Sequence, residues 1–159
     1  KEKENKNELF IYILDESNVK NDIIEKVSKA LFFRPFTVKP QKAFSVNNRK
    51  EIELGIYPRV STWLRAFKDA KYVITDSFHG CVFSIIFNKP FIAIGNKERG
   101  MTRFISLLKI FGLENRLITN IDDLSEDLIK YNFNWNKINK IKYEWQKSSV
   151  SFIDKSLKL

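Results

Sequence analysis

Between Tyr72 and Ile94 the chain changes its pattern of apolar residues twice, and this stretch constrains the fold more than any other. Tyr72-Val73-Ile74-Thr75 is a short apolar, β-branched run, Asp76-Ser77 is a turn, and Phe78 to Phe87 has the length and composition of a helix. Asn88-Lys89-Pro90 then forms a second turn, and Phe91-Ile92-Ala93-Ile94 a second buried run. Strand, helix and strand in that order make a βαβ unit, whose strands run parallel. A sheet of this kind is covered by helices on both faces, so the expected fold is α/β and Rossmann-like.

The flanking sequence extends the alternation. Leu9 to Leu14 is an apolar strand leading through Asp15-Glu16-Ser17-Asn18 into a helix that carries Ile23, Ile24, Val27, Ala30 and Leu31 at helical spacing. Arg34-Pro35 is expected to stop that helix, Phe36-Thr37-Val38 to form a second strand, and Ser45 to Lys50 to form a surface loop. Pro58 stands near the start of a further helix with Val60, Trp63, Leu64 and Phe67 on one face. After the βαβ unit come a loop from Gly95 to Gly100, a helix from Met101 to Phe111 closed by Gly112, and a small strand at Leu117-Ile118. An acidic-first helix opens at Ile121, and a long closing helix starts from about residue 136. Trp63, Trp135 and Trp145 are expected to pack, as large aromatic side chains do.

With 159 residues, the chain suits a single domain over residues 9–159 behind a charged N-terminal end at residues 1–8. The opening Lys1-Glu2-Lys3-Glu4 reads as a cut inside a longer protein. No apolar run approaches the roughly 20 residues needed to span a bilayer. Cys81 is the single cysteine, which excludes an internal disulfide and multi-cysteine metal sites; no metal or cofactor is called for, and a reducing cytoplasm is the simple compartment. Twenty-eight basic against 19 acidic residues leave a net charge of +9, suited to nucleic acid, an anionic membrane face or a phosphorylated substrate. The excess is spread over both ends and the stretch 89–116, and no basic-aromatic RNA-binding motif is present, so nucleic acid is not an expected partner.

Chemistry is expected where strands hand the chain to helix N-termini, since unpaired backbone amides there attract anions. Asp76-Ser77-Phe78-His79-Gly80 occupies such a place. Ser77 suits the helix N-cap, Gly80 allows close backbone approach, and His79, the chain's one histidine, lies in the first helical turn. The next strand delivers the polar loop Gly95-Asn96-Lys97-Glu98-Arg99-Gly100, followed by Arg103. If the helix begins near Arg99, Arg99 and Arg103, four residues apart, share a face suited to phosphate or carboxylate. Asp15 and Glu16 have a helix-start role as their default, and Cys81 a core role.

The run Tyr72 to Phe91, followed by Asn96-Lys97-Glu98-Arg99-Gly100-Met101-Thr102-Arg103-Phe104 and Gly112-Leu113-Glu114-Asn115-Arg116, closely resembles the C-terminal part of polysaccharide pyruvyl transferases. The likeness is best over residues 60–120. It implies the C-terminal half of a glycosyltransferase-B-like, cytoplasmic enzyme, working in solution or at the inner face of the cell membrane. That enzyme would move the pyruvyl group of phosphoenolpyruvate onto sugar hydroxyls of a glycan or lipid-linked saccharide, with an N-terminal domain completing the cleft. It also implies a catalytic role for His79, with donor binding by Ser77, Phe78, Gly80, Asn96, Lys97, Arg99 and Arg103. Family members carry Arg, a bulky apolar residue and His consecutively at this turn; here Phe78 and His79 match, and Ser77 stands in place of the Arg. Donor charge then falls to Lys97, Arg99, Arg103, the helix N-terminus or the other domain. The rival readings are a nucleotide-sugar glycosyltransferase and a non-catalytic basic anion-binding module.

Overall fold

A computed structural model of the chain describes residues 8–40, 56–95 and 100–157. Five parallel strands form one sheet in the order β2-β1-β3-β4-β5: β1 Leu9–Tyr12, β2 Pro35–Phe36, β3 Tyr72–Thr75, β4 Phe91–Ile94 and β5 Leu117–Ile118. Leu9 pairs with both Pro35 and Tyr72, Val73 with Phe91, and Ala93 with Leu117, so all the strands end on the same side. Both rims are strands of two residues. The α/β Rossmann-like fold expected from the sequence is the one found.

Alternate strand residues supply two cores. Phe10, Val73 and Phe91 pack with Phe67 of α2 (Val60–Asp69), Cys81 of α3 (Phe78–Ile86), Leu108 of α4 (Thr102–Phe111) and Ile138. On the opposite face, Leu9, Ile74 and Ile92 meet Ile23 and Val27 of α1 (Asn18–Leu31) and Ile129 of α5 (Glu126–Ile129). The last helix, α6, runs from Trp135 to Leu157. Its Lys142 amine donates to the Ile86 carbonyl at 3.1 Å and to Asn88 Oδ1 at 3.3 Å, covering the C-terminal end of α3.

Several boundaries depart from expectation. Helix α1 stops at Leu31, before Arg34-Pro35, because Phe32 turns left-handed (φ 57°) and its N–H reaches back to the last turn. Pro35 opens β2 and does not merely end a helix; on a rim strand its missing N–H costs nothing. The acidic-first helix is a single 3-10 turn at Ile121–Asp123 followed by the short α5. Trp145 is 55% exposed, contrary to the expected packing, since α6 runs past the sheet and Ile138 is its one buried residue among those described. The surface loop expected at Ser45 to Lys50 lies outside the described residues.

Candidate active site at the carboxyl ends of the strands

The strand order reverses between β1 and β3, the position where doubly wound sheets open a crevice. Asp76, the first residue after β3, bridges it. Its carboxylate accepts from the Leu14 amide at 2.8 Å, the Asp15 amide at 3.5 Å and the Lys20 amine at 2.7 Å. Lys20 also donates to the Asp15 carbonyl and to Asp15 Oδ1, both at 2.8 Å. The two central side chains are buried, Lys20 at 9% and Asp76 at 3% exposure. Burial alone would lower the Lys20 pKa, but the hydrogen bonds and charges of Asp15 and Asp76 outweigh it and leave it raised.

Sequence reasoning did not single out Lys20. The signal was its spacing: Lys20, Ile23 and Val27 lie on one helix stripe, all three buried, and a lysine inside an apolar stripe requires a buried partner. Asp15 is that partner in part, whereas the N-cap of α1 falls to Ser17, whose side chain accepts from the Lys20 amide.

The turn into α3 is packed tightly. Thr75 Oγ1 donates to the Tyr12 carbonyl at 2.8 Å and accepts from the Ser77 amide at 3.1 Å. Gly80 lies against the same threonine, where an added Cβ would sit 2.1 Å from Thr75 Oγ1. Gly80 is thus required for contact with β3; no described feature assigns it to a ligand. Ser77 occupies the N-cap position with extended backbone, but its side chain makes no capping hydrogen bond. The buried hydroxyl instead meets Tyr12, whose phenol pKa is raised by burial, offset in part by the Ser77 hydrogen bond. The expected side-chain cap is therefore absent, and the first turn of α3 presents its amides without one.

His79, the second residue of α3, is exposed. Phe78 lies edge-on to it at 5.9 Å between ring centroids, and the guanidinium of exposed Arg103 stands over the Phe78 ring at 5.6 Å from its centroid. Imidazole and guanidinium thus both contact one aromatic ring beyond the ends of adjacent strands β3 and β4. Arg103 is the second residue of α4. Asn96, Lys97 and Arg99 lie outside the described residues. Cys81 is fully buried and its thiol pKa is pushed up by burial, which suits core packing and not nucleophilic work.

A sequence model of the polysaccharide pyruvyl transferase family matches residues 2–98, more than half of the chain. The chain belongs to this family. The match takes in β1 through β4 of this pyruvyl transferase family member and the whole turn from Asp76 to Gly80. It begins far earlier than the stretch 60–120 picked out from motifs, and it ends before Arg103. Comparison with curated proteins and with solved structures gives no match. The family is one of transferases acting in polysaccharide chemistry. Among its described residues no helix is long and apolar enough to cross a membrane.

Proposed function

We propose that residues 9–159 form the donor-binding, Rossmann-like half of a glycosyltransferase-B-like enzyme that moves the pyruvyl group of phosphoenolpyruvate onto sugar hydroxyls of a surface polysaccharide precursor. The observation that carries this reading is the exposed His79 in the first turn of α3, with Arg103 over the Phe78 ring and an uncapped helix N-terminus beside it. A dianionic phosphate and a carboxylate suit that combination of amides, guanidinium and imidazole. Ser77 cannot replace the family's arginine at this turn, because its hydroxyl is buried against Tyr12. Arg103, over the Phe78 ring, takes over part of that charge, with Lys97 and Arg99 assigned to the same anion from sequence alone.

In this mechanism, protonated His79 gives its proton to the methylene carbon of the donor while an acceptor hydroxyl attacks the adjacent carbon. The C–O bond to phosphate then breaks, the first hydroxyl's proton leaving with the phosphate, and the oxocarbenium left at that carbon is discharged either by a second sugar hydroxyl, whose proton returns to His79 as the ketal closes, or by return of a methyl proton to His79, which gives the enolpyruvyl ether. A positioned general acid contributes about 10²–10⁴-fold to such a step, and the amides and guanidinium stabilise the charge that develops. The enzyme works in the cytoplasm, where phosphoenolpyruvate is made, at or near the inner face of the membrane.

Phosphoenolpyruvate should shift the His79 Cε1–H resonance saturably, and Arg103→Ala should weaken that response about tenfold, the loss of one charge-assisted contact. A histidine resonance that ignores phosphoenolpyruvate but responds to UDP- or GDP-sugars would replace this reading with a nucleotide-sugar glycosyltransferase.

A further inference from the structure

A cavity of about 420 Å³ opens at the end of β1, walled by Tyr12, Val38, Lys39, Tyr57, Val60 and Trp63. Its size falls within the roughly 300–1,000 Å³ of small-molecule sites, and three of its nine lining residues are aromatic. Ring contacts lead from it to α3. Four residues apart on α3, His79 and Phe83 lie on one side of the helix, and Phe83 meets Trp63 edge-on at 4.9 Å. Trp63 in turn stands 5.2 Å from Tyr12, whose hydroxyl meets Ser77 at the N-cap of α3. In the sheet order β1-β3-β4, the cavity opens at the end of β1, His79 follows β3 and Arg103 follows β4.

An acceptor hydroxyl must come within about 3–3.5 Å of the donor carbon it attacks. Wherever the rest of the acceptor is held, its reacting ring has to enter beside His79. Toward Arg103 that place is cationic and taken by the donor's phosphate and carboxylate. Toward the end of β1 are Tyr57, which is 77% exposed, Tyr12 and Trp63. Flat aromatic faces with phenol hydroxyls at their edges suit a pyranose, whose ring carries an apolar C–H face and a polar rim. We propose that this cavity is the subsite for the reacting sugar ring of the acceptor. The assignment rests on the donor reading above and adds the side from which the sugar approaches.

The test follows the Trp63 indole N–H resonance of the 159-residue chain, assigned through Trp63→Phe, during titration with methyl glucoside, methyl galactoside, methyl mannoside and uridine. At least one methyl glycoside should shift it saturably. Tyr57→Ala, at a mostly exposed position, should weaken that binding about fivefold or more, the range expected for one lost aromatic face, while the His79 response to phosphoenolpyruvate stays unchanged. No shift with any of the three glycosides, preferential binding of uridine, or unaltered glycoside binding in Tyr57→Ala would each overturn the assignment. Failure of the donor reading has a different signature: glycoside binding at Trp63 with no phosphoenolpyruvate response at His79.

Discussion

Gly80 determines how closely α3 can approach β3. A methyl group there would meet three atoms of the Thr75 side chain at 2.1 to 2.8 Å, and Thr75 is held in place by the Tyr12 carbonyl and the Ser77 amide. Neither partner can yield without moving the N-terminus that carries His79. Gly80→Ala should therefore cost about 1–3 kcal/mol, as overpacking in a closed site does, measured as a lowered urea midpoint. Arg116 shows a different residue-level solution: fully buried, it donates to the Leu128 carbonyl at 2.6 Å and lies under the Tyr131 ring at 4.5 Å. Aromatic faces and a carbonyl take the place of a carboxylate there.

Between elements, the decisive link is the Lys20–Asp76 pair, which ties the loop after β1 to the turn after β3. Replacing the amine leaves a buried carboxylate with its backbone donors alone. Lys20→Met should lower stability by about 3 kcal/mol, near the lower end for a broken buried pair, and should speed hydrogen exchange at the Leu14 amide. The strands and most helices of this fold are legible in the sequence because burial on both faces forces continuous apolar runs, as in Tyr72 to Thr75 and Phe91 to Ile94. Helix ends are less so: the left-handed turn at Phe32 depends on hydrogen bonds to Lys29 and Ser28 that a phenylalanine does not advertise. The motif around His79 is legible as a place but not in its detail. Ser77 has the right residue type for a cap, yet in the fold it is buried and its side chain makes no capping hydrogen bond. Lys20 went unnoticed because its partner Asp76 is brought near only by the pairing of β1 with β3.

For the molecule as a whole, buried phenols set an alkaline limit. Burial raises the Tyr72 pKa above its ordinary value of 10.0, partly offset by the charge of Arg116. Above that pH an unfolded chain releases a proton that the folded chain keeps, so the contribution of Tyr72 is intact below about pH 10 and is lost as pH rises. Lys20, raised by its carboxylates, acts in the same sense, while Lys89 and Lys142, lowered by burial, act in the opposite one. Tyrosinate absorbance and far-ultraviolet dichroism followed together should show Tyr72 ionising only as helix is lost; Tyr72→Phe should remove that step. The sheet has one further consequence at this scale. Among the described residues each rim strand is two residues long, so neither of these strands exposes a long run of free amides and carbonyls on which a strand from another molecule could be templated. At high concentration, self-association by lateral growth of the sheet is thereby disfavoured.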